Sequence, residues 1–198
     1  MVGASTNGKI HGVEPMTLTK ETRQSGDQAK ADLEISLNEQ LDADDEDSQE
    51  GKFLTFKLGP EEFGIEIRHV TEIIGLQKIS KVPDMPPFIK GVINLRGNVI
   101  PVMDVRTRFI MDERDYDDRT CVVVVSIEGL AVGLVVDTVR EVANIDENHI
   151  SPAPRVRDDG SSRYIKGMGK VGDEVKILLD VNKLLFEEEI EALSNNAA

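Results

Sequence analysis

Four kinds of side chain in this sequence have the chemistry to act: three histidines, one cysteine, paired carboxylates, and an arginine flanked by apolar runs. His11, His69 and His149 lie far apart in the chain, without the HxxxH or Cys/His spacing that a metal site needs. Cys121 sits inside "TCVVVVSI", so it reads as a small buried hydrophobe and not as a nucleophile. The acidic pairs Asp117-Asp118 and Asp158-Asp159 fall in loop-like stretches and read as solvated charge, not as an acid/base pair. "GMGKVG" at 167–172 opens no helix and reads as a turn; no GxxxxGK[ST] phosphate loop is present. The sequence therefore predicts no catalytic constellation, no metal site and no cofactor.

The arginine is more informative. In "GVINLRGNVIPVMDV", residues 91–105, Arg96 stands beside Gly97 and Asn98, between two apolar runs. Gly97-Asn98 reads as a two-residue hairpin turn with Arg96 just before it, projecting near the tip. Pro101 cannot donate to a ladder, so its strand is expected at an edge or at a bulge. A planar guanidinium near an apolar surface suits bidentate recognition of a partner's carboxylate. The competing reading is a brace, in which Arg96 pairs with a local acid such as Glu72 or Asp104.

The elements that position this arginine follow from pattern. The 198-residue chain has no Trp and two Tyr, so its core must come from Val, Ile and Leu, a composition that favours strands. "KFLTFKL" and "FGIEI" form a hairpin around "GPEE"; "IKGVINL" and "VIPVMDV" form a second. "TCVVVVSIEGLAVGLVVDTV" is a third, turning at "EG", and "YIKGMGKV" with "VKILLDV" a fourth. Val70, Ile73 and Ile74 recur at helical spacing, which predicts a helical turn ended by Gly75. "NKLLFEEEIEAL" predicts an amphipathic C-terminal helix capped by Asp180 or Asn182. Residues 112–119 read as a charged linker.

These elements repeat. "VTEI" at 70–73 aligns with "VREV" at 139–142, and "IKG" at 89–91 with "IKG" at 165–167. Two copies of one β-unit, each too small to be stable alone, are expected to pack as two small β-barrels sharing an apolar seam. In the second copy Gly172 stands where the first has Arg96. A brace common to the fold would occur in both copies, so this asymmetry favours a partner contact.

Net charge is −14, of which residues 1–50 carry −8, from 4 Lys/Arg against 12 Asp/Glu. That balance argues against nucleic acid as a partner. Residues 1–50 read as a disordered acidic tail, with at most a transient helix over "AKADLEISLNEQL". One cysteine fits a reducing compartment, and the sequence has no apolar stretch suited to a signal peptide or membrane span. A cytoplasmic protein is expected.

The motifs "FLTFKLGPEEFGIEI", "VTEIIG", "FIKGVINLRGNVIPVMDVRTRF", "VGLVVDTVREV", "YIKGMGKV" and "ILLDVNKLL" together resemble the CheW family of bacterial chemotaxis coupling proteins. The resemblance implies a mainly β fold of two intertwined five-stranded, SH3-like barrels around a shared core, with short helices and a C-terminal helix. It places that domain at 51–190, after the tail at 1–50 and before a short tail at 191–198. It implies a non-enzymatic adaptor, located at receptor arrays, whose partners are the cytoplasmic tip of methyl-accepting chemoreceptors and the regulatory domain of the histidine kinase CheA. Weak self-association is also expected. The receptor-facing residues it implies are Val70, Glu72, Ile73, Arg96 and Val99; Gly91 and Gly133 match family glycines and read as backbone requirements. A coupling protein of a non-flagellar chemosensory pathway and an enzyme with an inter-barrel active site are the alternatives.

Overall fold

The computed structural model describes residues 31–39, 49–153, 161–186, 189 and 193. Residues 31–39 form helix α1. The strands are β1 (Lys52–Leu58), β2 (Glu61–Glu66), β3 (Val70–Gly75), β4 (Ile89–Leu95) and β5 (Asn98–Asp104). A one-turn helix α2 (Val105–Arg108) precedes β6 (Cys121–Ile127), β7 (Leu130–Val136) and β8 (Thr138–Asn144). β9 (Ile150–Ser151), β10 (Ile165–Val171) and β11 (Glu174–Leu179) follow.

The strands form two sheets, ordered β8-β1-β2-β11-β10-β9 and β3-β6-β7-β5-β4. The fold is thus mainly β, and the predicted repeat is present. Its copies are not packed side by side, however. The β1–β2 hairpin of the first copy inserts among β8, β11 and β10 of the second, and the β6–β7 hairpin of the second inserts among β3, β5 and β4 of the first. The exchange is symmetric. Gly64 of β2 meets Leu178 of β11 in a parallel pair, and Gly133 of β7 meets Val102 of β5. A Cβ on Gly64 would lie 3.0 Å from Leu178 Cδ2, and one on Gly133 would lie 2.7 Å from Val122 Cγ1. Gly133 has an extended backbone, so the space taken by Val122 excludes a side chain there, whereas the backbone angles do not require glycine.

Residues 70–75 are strand β3, not the predicted helical turn; a single turn of 3-10 helix at Ile67–His69 precedes it. A bulge between Val70 and Glu72 breaks the two-residue alternation and puts Val70 and Ile73 on the buried face. That bulge produced the apparent helical spacing. "GMGKV" lies within β10, so only Gly172 is a turn residue there. Asp180 caps the 3-10 turn Val181–Lys183 and not a C-terminal helix. Most of that predicted helix lies outside the described residues, but Glu189 and Leu193 are helical and Leu193 is buried, so the expected tail at 191–198 is corrected at 193. The tail predicted at 1–50 is likewise corrected at 31–39; residues 1–30 and 40–48 lie outside the described residues.

The largest apolar cluster draws on both copies, with Leu54, Phe56 and Ile65 from the first and Val123, Leu134 and Leu179 from the second. A polar knot ties the same seam. Asp137 accepts from Arg106 Nε at 2.7 Å, Arg106 Nη2 at 2.6 Å and the Gly59 N–H at 2.7 Å, with Arg114 Nη1 at 3.3 Å. Burial pushes the Asp137 carboxyl up, but the Arg106 bonds, the Gly59 N–H and the Arg114 charge outweigh it and hold it below its ordinary value. A carboxyl lowered in this way contributes stability above its unfolded-state pKa of about 4, and that contribution is lost as pH falls through the lower folded-state pKa. Asp137→Asn should therefore cost about 2 kcal/mol in urea unfolding at neutral pH. The gap to wild type should close on acidification; a gap independent of pH would refute the ionic role.

Candidate partner-binding surface

The β4–β5 hairpin turns on Arg96-Gly97, not on Gly97-Asn98: Leu95 pairs with Asn98, and the two turn residues have φ of 52° and 93°. Both left-handed angles are those of a type I′ turn, whose twist matches the strands. Arg96 is therefore a non-glycine residue held at positive φ at the tip itself, and the Asn94 side chain accepts from the Gly97 N–H at 2.8 Å. Pro101 is also placed differently from expectation. β5 lies between β4 and β7, not at an edge. Opposite Pro101, Val92 turns its own N–H and C=O away, to Ser80, at 2.9 and 2.8 Å. The missing donor of Pro101 therefore costs the β4–β5 ladder nothing.

Arg96 Nη2 donates to Glu72 Oε1 at 2.6 Å, linking the hairpin tip to β3. The arginine side chain is 79% exposed and the glutamate 19%. Asp104, the other acid considered, accepts instead from the Tyr116 hydroxyl at 2.7 Å and caps α2 through the Thr107 N–H. Val99, three residues past Arg96, is 45% exposed. Glu72, Arg96 and Val99 thus lie at the surface on two elements tied by an ion pair. Val70 and Ile73 differ: their side chains are buried in the main cluster and are not available as side-chain contacts. Ile73 offers only its backbone, because β3 is the edge strand of its sheet.

The strongest feature that the sequence did not reveal is α1. Leu37 is buried in the cluster that holds Ile73. The Asn38 carboxamide accepts from the Ile73 N–H at 3.0 Å and donates to the Ile73 C=O at 3.0 Å. One side chain thereby satisfies the open edge of β3 as a neighbouring strand would. The leucine spacing "LEISLNEQL" hinted at the helix; its seat left no sequence signal.

An open cleft is lined by residues that include Glu50, Glu66, Arg68, Asp146, Glu147 and Lys166. Three of its charged groups pair, Glu66 meeting Lys166 at 2.9 Å and Arg68 at 3.1 Å. Burial, then the Arg68 charge, push the adjacent His69 below its ordinary value. His69 and His149 are not brought together with Cys121, and among the described residues no group of His, Cys, Asp and Glu could hold a metal ion. No helix among them is long and apolar enough to cross a membrane.

Comparison with known proteins bears on this surface. The family model described as CheW-like domain matches residues 52–189. The Klebsiella aerogenes protein "Chemotaxis protein CheW" is 41% identical over 147 residues, covering 74% of this chain and 88% of that protein. A Bacillus subtilis protein of the same description is 31% identical, covering 69% and 88%. The crystal structure of scaffolding protein TtCheW from Thermoanaerobacter tengcongensis superposes with a TM-score of 0.65 at 36% identity, covering 70% of this chain and 94% of that one. Helix α1 precedes the matched region.

Proposed function

The chain belongs to the CheW family of chemotaxis scaffolds, and from that premise we propose that it is a non-enzymatic adaptor joining chemoreceptors to the kinase CheA. The receptor tip docks at the β3 edge and β4–β5 hairpin, and the kinase's regulatory domain at the edges of the first barrel, within arrays at the cytoplasmic face of the membrane. The observation that carries the reading is the Glu72–Arg96 pair at a solvent-facing tip, with Val99 exposed beside it. An exposed guanidinium at positive φ, present in one copy of the repeat and replaced by glycine in the other, is not required to build the hairpin. It does suit capture of a carboxylate on a partner helix, with Val99 supplying apolar contact.

A titration against a purified receptor cytoplasmic fragment tests this. Arg96→Ala should weaken binding about tenfold, the scale of an interface hot spot. Folding stability should fall by only about 0.5 kcal/mol, because exposed ion pairs contribute little. Glu72→Ala should weaken binding less, since it removes the group that orients Arg96. Unchanged affinity for both variants would remove these residues from the site.

A further inference from the structure

Helix α1 lies outside the region shared with the family, and its seat adjoins the docking surface. The edge of β3 at Ile73, which Asn38 covers, is one residue from Glu72, the partner of Arg96. α1 runs antiparallel to β3. Glu34 lies 3.8 Å from the sulfur of Cys121, which pairs with Gly75 at one end of β3, and Asn38 sits on Ile73. α1 therefore points along β3 toward Glu72 and Val70.

The apolar hold on α1 is slight. Of its apolar side chains only Leu37 is buried, while Leu33 and Ile35 are 38% and 56% exposed. The stretch "AKADLEISLNEQL" amounts to about three turns, and an isolated helix of that size is marginal in water. α1 is thus a helix because it is docked, and it will melt when released. What it occupies has a definite chemistry: a leucine-sized apolar seat beside an N–H and a C=O of one residue. A primary carboxamide answers both groups at once, since it carries a donor and an acceptor.

We propose that α1 is a built-in competitor for the receptor helix. It covers the β3 edge in the free protein, and an amphipathic receptor helix presenting an Asn or Gln next to a leucine-sized residue displaces it. This rests on the reading that the receptor docks at β3 and the β4–β5 hairpin. Binding then carries a conformational penalty set by the fraction of molecules with α1 undocked. Loosening α1 removes that penalty without adding a contact.

The test uses the full chain and a receptor cytoplasmic hairpin fragment. Leu37→Asp places a charge in the apolar seat, and Asn38→Ala removes the edge bonds while leaving the barrels untouched, so one variant remains informative if the other folds poorly. Both should bind the fragment about three- to tenfold more tightly than wild type, as expected if α1 is docked in most free molecules. In wild type, saturation with the fragment should move the backbone resonances of 31–39 to random-coil positions. If Arg96→Ala weakens binding while Leu37→Asp and Asn38→Ala leave it unchanged, the competitor role is wrong and the docking surface stands. An α1 that stays helical in the complex overturns the competitor role in the same way. If the fragment binds none of the proteins, or binds them all alike, the docking surface falls and the competitor role with it.

Discussion

Gly91→Ala should lower folding stability by about 3 kcal/mol or more, read as an earlier urea midpoint with an unchanged slope. Gly91 has φ of +141°, a conformation nearly closed to side-chain-bearing residues. Space forbids the substitution as well. A Cβ there would sit 2.1 Å from the Ser80 carbonyl oxygen and 2.9 Å from Ile79 Cγ2. Ser80 cannot retreat freely, since its N–H and C=O are bonded to Val92 at 2.8 and 2.9 Å. The proline-rich loop is thereby sewn to β4 across a position that must be bare, beside the bulge between Ile89 and Gly91. Gly97→Ala is the control: φ there is +93°, but nothing lies within 4 Å of the added carbon. It should cost only about 1 kcal/mol. Equal losses at the two sites would show that backbone angle alone matters and that the Ser80 contact does not.

Arg108→Ala should cost about 3 kcal/mol, because it strands a carboxylate and empties an aromatic cage together. Arg108 is buried at the end of α2 and donates to Glu189 through Nη1 at 3.0 Å and Nη2 at 2.9 Å. Its guanidinium carbon lies 4.1 Å from the Phe88 ring centroid, 4.8 Å from Phe186 and 5.2 Å from Tyr164. Those rings come from the loop before β4, the segment after β11 and the turn before β10, so one side chain gathers three distant stretches. Glu189 also accepts from the Phe186 N–H at 2.8 Å, tying the start of the C-terminal helical segment to the same point. Arg108→Lys keeps the charge but not the paired geometry and should fall between the two. Equilibrium urea unfolding of the three proteins measures the series; a lysine variant as unstable as alanine would place the weight on the planar fork instead of on charge.

Much of this molecule was legible beforehand. The hairpins, the repeat and the burial of Cys121 follow from alternation, turn residues and Val-rich runs. The choice of Glu72 over Asp104 as partner of Arg96 was not, since both were compatible with the spacing. It was settled by Tyr116 and Thr107 occupying Asp104. β3 was misread because a bulge imitates helical periodicity. The intertwining of the copies was implied by the family resemblance and not by the strand pattern: similar repeats give each strand two equivalent sets of neighbours, and alternation does not say which set it takes. The helix over α1 was read as transient at most, because its docking depends on one leucine and one amide, while the acidic composition around it argued for disorder.

The swapped hairpins have a consequence for how the chain is made. As the first copy leaves the ribosome, β1 has no β8 to join, β2 no β11, and β3 no β6. The first sheet is closed only when residue 179 has been synthesised. Until then the nascent chain exposes two unfinished sheet edges and a large part of its eventual core. Neither half of the chain can complete a sheet by itself, so neither half can be produced, inherited or fused as an independent module.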